Sequence, residues 1–281
     1  MATDRKRPRG PVGPGAAALA AATTEGGWAL VTGASSGIGL AYATALATRG
    51  VNLLLTSVDA VNLERVTAEL RDRHGVRVES LCQDFAAETV LGGLPDLIAD
   101  RRVEILVNNA GFGTKGLFTA TDAATYTDMV RVNLLAPVLL TRALLPPMLA
   151  RGRGAVVHVA SINAIAPIAW SAVYSATKAF LLSYATAVWY ENRGSGVAFQ
   201  TLLPGTSVTP FHTHSGSTRL PPWAMTPEAV AASSLAALGR AVVHVPGAVN
   251  RVLRALDAFL PLPLRTKTAV ATAVMRRSLG V

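Results

Sequence analysis

The chain has 281 residues, 51% of them apolar and 15% charged, with 24 glycines; this suits one large buried core joined by tight turns and excludes collagen-like, low-complexity and wholly disordered chains. Its single cysteine, Cys82, excludes an intramolecular disulfide and a cysteine-based zinc cluster, so a reducing cytoplasm is the expected location. The formal charge of +9 divides into +2 over residues 1–27, +5 over 251–281 (Arg251, Arg254, Arg265, Lys267, Arg276 and Arg277 against Asp257) and +2 over the body, a distribution that speaks to surface partners or solubility rather than to the central chemistry or a nucleic-acid site.

Residues 1–27, rich in Pro, Gly and Ala behind an early basic cluster, read as a flexible leader; the run Ala16 to Ala22 is too weakly hydrophobic for a signal peptide. Strand-like runs follow at Ala29–Thr32, Val51–Thr56, Val76–Cys82, Ile105–Asn108, Ala155–Ala160, Val197–Leu203 and Ala241–His244. Helix-like runs fall near 37–49, 60–73, 86–101, 122–150, 172–193 and 227–239, the last started by Thr226, Pro227 and Glu228. Short apolar strands alternating with helices predict a parallel sheet covered on both faces, an α/β class. The uncharged stretch Gly154–Thr177 is read as buried protein, because His158, Asn163 and Pro167 interrupt it. The expected organisation is a leader over 1–27, one domain over 28–248 and a basic amphipathic helical extension over 249–281.

After the first strand comes Gly33-Ala34-Ser35-Ser36-Gly37-Ile38-Gly39, opening a helix. Glycine lets a phosphate approach the backbone, and free N–H groups at a helix start favour an anion, so the loop is a candidate diphosphate cradle. Asp84 ends the third strand, Asn108-Asn109-Ala110-Gly111 the fourth, and Pro204-Gly205 with Thr209 the sixth. In this order and spacing the chain resembles the short-chain dehydrogenase/reductase family over roughly residues 28–245. The resemblance implies a Rossmann-like doubly wound parallel sheet of about seven strands. It also implies that Asp84 meets the adenine amino group, that Asn109, Ala110 and Gly111 shape the cofactor floor, and that Thr209 holds the nicotinamide carboxamide.

Tyr174 and Lys178, four apart on a predicted helix, share a face. A protonated lysine nearby favours phenolate, so Lys178 is expected to lower the Tyr174 pKa from its reference near ~10. Ser161 lies thirteen residues before Tyr174 at the end of the fifth strand. The resemblance assigns Ser161 to the substrate carbonyl, Tyr174 to proton transfer, Lys178 to the nicotinamide ribose, and Asn133 to a water held on its backbone carbonyl. Pro137, without an N–H, is expected to leave that carbonyl free. His212 and His214 are too sparse for a metal site, and Ser161 lacks the GxSxG elbow of a hydrolase.

Cofactor choice turns on the end of the second strand. An NAD-type aspartate would fall at Ser57 and an NADP-type arginine at Val58 or near Ser36; neither is present, and Asp59 is one or two positions late. Ser57 and Ser36 could hydrogen-bond a phosphate, so NADP(H) is favoured, with NAD(H) not excluded. Phe112, Asn163, Phe211 and Trp223, together with Leu117, Phe118, Ile162, Ile165, Leu220 and Met225, offer a mostly apolar substrate wall suited to a hydrophobic ketone or alcohol.

Val249, Val252, Leu253, Leu256 and Leu260 follow helical spacing. Packing on the chain's own body is the expectation for this face; an oligomer contact or an anionic membrane surface is the alternative. The resemblance implies a homodimer or homotetramer through the helices carrying Asn133 and Tyr174. The function expected is NAD(P)(H)-dependent carbonyl/alcohol interconversion; the alternatives are a non-catalytic nucleotide-sensing regulator on the same fold, or an epimerase or dehydratase that recycles its cofactor internally.

Overall fold

Seven parallel strands form one sheet in the order β3-β2-β1-β4-β5-β6-β7. The computed structural model describes residues 13–211, 220–259 and 262–279. The strands are β1 (Trp28–Thr32), β2 (Asn52–Ser57), β3 (Val78–Cys82), β4 (Val103–Asn108), β5 (Gly154–Val159), β6 (Val197–Leu202) and β7 (Val243–His244). Side chains alternate between two apolar layers: Ala29, Val31, Leu53, Leu55, Ile105 and Val107 enter one, while Leu30, Leu54 and Leu106 enter the other. That two-sided demand explains why the strand sequences are continuously apolar rather than alternating. The order reverses between β1 and β4, so the crevice beyond their carboxyl ends is where a doubly wound sheet receives its ligand.

Helices α1 (Pro14–Thr24), α2 (Gly37–Ala47) and α3 (Ala60–His74) precede β1, β2 and β3 respectively. Then come α4 (Leu94–Ala99), α5 (Ala123–Val130), α6 (Ala136–Ala150), α7 (Ala172–Glu191), α8 (Pro227–Ala237), α9 (Ala248–Phe259) and α10 (Leu264–Leu279). Between α5 and α6 the helix widens into a π turn, Arg131–Leu135, where Ala136 N donates to the Arg131 carbonyl five residues back. Pro137 explains the widening, since it offers no N–H to close an ordinary turn onto Asn133.

Three expectations need correction. The leader is not flexible over 14–24. Alanine is the strongest helix former and Pro14 is preset for the first turn, so α1 forms; Ala18 and Ala22 join the core, and Gly15 lies so close to Leu238 that a Cβ would sit 2.3 Å from its carbonyl oxygen. The helix expected over 86–101 shrinks to α4, because Gly92 adopts φ +47° and Pro95 belongs to a first helical turn. The apolar face of the C-terminal segment is turned outward: Asn250 is buried and Asp257 half-buried, whereas Val252, Leu253 and Leu256 are exposed. Lys267 and Arg254 pair with Asp257 at 2.6 and 3.7 Å, joining α10 to α9. Leu260, His212 and His214 lie outside the described residues.

Candidate active site

The glycine loop leaves β1 and enters α2 with Ser36 as N-cap, whose side chain makes no capping hydrogen bond. Gly37 holds φ +56°, and a Cβ on it would stand 3.2 Å from Thr209 Cγ2, so the loop and the segment after β6 close on one another. A Cβ on Gly39 would lie 2.1 Å from the Gly33 carbonyl, which only glycine permits at this approach of α2 to the loop. Ile38 packs on the core behind. The uncapped N–H groups of α2 and this glycine-walled cradle fit the diphosphate of a nicotinamide dinucleotide.

Thr32 ties the loop to the end of β4. Its hydroxyl accepts from Asn109 N at 3.0 Å and Ala110 N at 2.9 Å, and Asn109 Nδ2 donates to the carbonyls of Thr32 and Gly33. Gly111 continues this floor, and a Cβ there would be 3.2 Å from Lys178 Nζ. Asp84, exposed beyond β3, accepts from Ala86 N at 2.8 Å. The Pro204 carbonyl accepts from Ile162 N, and Gly205 leaves no room for a Cβ beside the Asn250 amide, 2.3 Å away.

Ser161, Tyr174 and Lys178 are brought together. Ser161, nine-tenths buried at the end of β5, accepts from Asn163 N at 3.1 Å, and its hydroxyl faces the Tyr174 phenol closely enough to pull on its pKa. Lys178 is buried; its Nζ donates to the Val159 carbonyl at 3.1 Å and lies 5.6 Å from the Tyr174 ring centre. Burial pushes the Tyr174 phenol up to about 12 while the Ser161 hydroxyl pulls the other way. Burial also pulls the Lys178 ammonium down to about 8. The expected lowering of Tyr174 is therefore corrected: desolvation outweighs the pull of the Ser161 hydroxyl.

Asn133, fully buried in the π turn, clamps the loop after β4: Oδ1 accepts from Phe112 N at 3.0 Å, while Nδ2 donates to the Phe112 carbonyl at 2.8 Å and to Thr177 Oγ1 at 3.1 Å. Thr177 in turn donates to the Tyr174 carbonyl. Thr32 stands directly before the first glycine of the loop, whereas Thr177 carries no sequence signal that separates it from an ordinary core threonine. Gly113 could have been suspected as a second glycine after Gly111; a Cβ there would strike the Tyr174 ring at 2.7 Å.

At the end of β2, Ser57 and Ser35 share a hydrogen bond of 2.8 Å. Asp59 is engaged elsewhere. It caps α3, accepting from Asn62 N and Nδ2, and these bonds hold its carboxyl below the usual range. Val58 is exposed. Of the expected wall, Phe211 tilts against Tyr174 with ring centres 5.5 Å apart; Phe112 and Asn163 border the triad through the bonds above, and Trp223 is half-exposed on the segment leading to α8.

A doubly wound sheet with a glycine-walled cradle and a buried Ser-Tyr-Lys cluster at the carboxyl ends of its strands defines a nicotinamide-dependent oxidoreductase class. Residues 27–219 match the short chain dehydrogenase family, and the chain belongs to it. It is 34% identical over 182 residues to hydroxysteroid dehydrogenase-like protein 1 of Gallus gallus, covering 64% of this chain and 55% of that protein. It is 32% identical over 183 residues to very-long-chain 3-oxoacyl-CoA reductase of Bos taurus, covering 64% and 59%. The human relative of the first kind, also 34% identical, is named an inactive protein. The chain thus spans little more than half the length of these curated relatives. Among solved structures, a short-chain dehydrogenase from Sphingobium yanoikuyae in complex with NADPH is similar at 33% identity and TM-score 0.76, over 83% of this chain and 93% of that one. The bulky-bulky ketone specific alcohol dehydrogenase from Comamonas testosteroni is similar at 28% identity and TM-score 0.71, over 84% and 94%.

Proposed function

We propose that the protein reduces a ketone on a bulky hydrophobic substrate with NADPH, or oxidises the matching secondary alcohol. The observation that carries this reading is the buried cluster in which the Ser161 hydroxyl meets the Tyr174 phenol and Lys178 lies behind the Tyr174 ring. In the reduction, Ser161 and Tyr174 hold the carbonyl oxygen and Tyr174 gives it a proton as negative charge develops there. NADPH, when bound, supplies the hydride. Lys178 binds the nicotinamide ribose and carries the replacement proton. The carbonyl of Asn133, to which Pro137 cannot donate, holds the water that links Lys178 to solvent. Phe112 and Phe211 exclude bulk water from the reacting carbonyl.

The cofactor would lie with its diphosphate on Ser36, Gly37, Ile38 and Gly39, its adenine toward Asp84 and its carboxamide toward Thr209. The choice of NADPH rests on three supports. Asp59 is committed to its helix cap; Ser57 at the end of β2 and Ser35 in the glycine loop offer hydroxyls side by side; and the similar Sphingobium enzyme holds NADPH. A bulky hydrophobic ketone is supported by the exposed apolar rim at Leu117, Phe118 and Trp223 and by the names of the reductase and bulky-ketone relatives. Exposed Val130, Leu135 and Phe180 on the helices carrying Asn133 and Tyr174 support a homo-oligomer through those helices.

Side-by-side fluorescence titrations with NADPH and NADH, followed by a screen of hydrophobic ketones under NADPH, test the reading. Saturable NADPH binding with ketone-dependent, stoichiometric NADPH oxidation supports it. Binding without turnover on any ketone favours a non-catalytic, nucleotide-sensing regulator, and turnover without net NADPH consumption favours an internally recycling epimerase or dehydratase.

A further inference from the structure

Helix α9 is mounted inside out. Its polar edge faces the protein: Asn250 is 4% exposed and donates to the Pro246 carbonyl at 2.9 Å, and Asp257 is held by Lys267 and Arg254. Its apolar edge faces away, with Val252 at 57%, Leu256 at 50% and Phe259 at 83% exposure, and the turn to α10 adds exposed Leu262 and Leu264. A surface helix in water normally shows the opposite arrangement. Single exposed leucines need no explanation, but a whole helical stripe continued through the next turn marks an interaction surface.

The charge around this stripe selects the occupant. Residues 251–281 contain six cations and one acid, Asp257, which already serves Lys267 and Arg254. Arg251, Arg265 and Arg276 are exposed. A second copy of this surface would bring like charges face to face, which disfavours self-association. An anionic lipid surface accepts both components at once, apolar side chains below the headgroups and cations among them. The hairpin also adjoins the candidate substrate entrance: Ala169 N donates to Thr272 Oγ1 on α10, and Gly247, just before α9, abuts Met225.

We propose that the α9–α10 hairpin docks the protein on an anionic lipid surface through Val252, Leu253, Leu256 and Phe259, with Arg251, Arg265 and Arg276 at the headgroups. The inference is independent of the catalytic reading. It is tested by co-sedimentation of the full chain with phosphatidylcholine vesicles with and without phosphatidylglycerol, at low and high salt. The expected result is pelleting with the phosphatidylglycerol vesicles that falls at high salt, a loss of about tenfold or more in the Leu256→Glu, Phe259→Glu double variant, and a loss of about fivefold for each of Arg251→Ser and Arg265→Ser. Because these side chains are exposed, unchanged thermal melting curves should show that the variants fold. No pelleting, equal pelleting with both vesicle types, or full pelleting of the double variant overturns the proposal. So does sedimentation velocity in which the apolar substitutions dissociate an oligomer while the parent protein ignores vesicles, an outcome that assigns the face to a second copy.

Discussion

Lys178 holds its ammonium 5.6 Å from the centre of the Tyr174 ring, and burial drives the two groups apart on the pH scale, the lysine down to about 8 and the tyrosine up to about 12. Between these values the tyrosine keeps its proton while the lysine loses its charge. For reduction this makes Lys178, rather than Tyr174, the group that sets the alkaline limb. The expected kcat/KM for ketone reduction is flat below about 8 and falls as pH rises through it, since that ratio reports the free enzyme. A plateau persisting to pH values where tyrosines ionise would remove Lys178 from the role assigned to it.

Tyr174→Phe deletes the phenolic hydroxyl, and with it the acidic proton, and leaves the ring on which Phe211 rests. Turnover should drop by at least about a hundredfold, the lower end of general-acid contributions. NADPH affinity should change little. Strong residual reduction by this variant would mean that another group delivers the proton.

The Ser57 hydroxyl bonds Ser35 Oγ and accepts from Asp59 N, whereas the Asp59 carboxylate caps α3. Ser57→Asp should therefore shift the ratio of catalytic efficiencies toward NADH by placing a carboxylate against the ribose. Asp59→Ala should leave that ratio alone and lower the melting temperature through loss of the cap. A cofactor switch in the second variant and none in the first would transfer the selecting role to Asp59.

Much of this site is legible without coordinates. The strands announce themselves because burial on both faces demands unbroken runs such as Leu53-Leu54-Leu55; the glycine loop and the four-residue step from Tyr174 to Lys178 can be read from the residues, while Ser161 is marked only by the family resemblance. Other features depend on contacts distant in sequence. The alanines of α1 resemble a leader until Leu238 comes to rest on Gly15. Asn250 means nothing until Gly205 lies beneath it. Periodicity marks the apolar stripe of α9 but not the direction in which it points. The proximity of Tyr174 and Lys178 follows from helical spacing, yet their pKa values follow from burial, which spacing does not carry.

His158 gives the acid side of the stability profile. It is buried in β5 against Asn108, with Nδ1 3.2 Å from Asn108 Nδ2, and burial first, then the Lys178 charge, pull its pKa down to about 4 from 6.5. Above 6.5 it is neutral in both folded and unfolded chains. Between 6.5 and 4 the unfolded chain takes up a proton that the folded one refuses, so stability is lost as pH falls through this window, on the order of 3 kcal/mol in all. Urea unfolding across the window should show that slope, and His158→Gln, which cannot titrate, should flatten it by up to one proton. If the two proteins lose stability in parallel from neutrality to pH 4, the acid sensitivity lies elsewhere. A separate contribution to stability lies at the opposite end of the sheet, where Glu104 is wholly buried within 3.1 to 3.6 Å of Arg102, Arg151 and Arg153. Glu104→Ala removes the buried partner of those arginines, and the unfolding free energy should fall, though by less than the ~3 to 5 kcal/mol of a stranded buried charge, because Arg102 and Arg153 keep Glu25 at 3.2 and 2.6 Å.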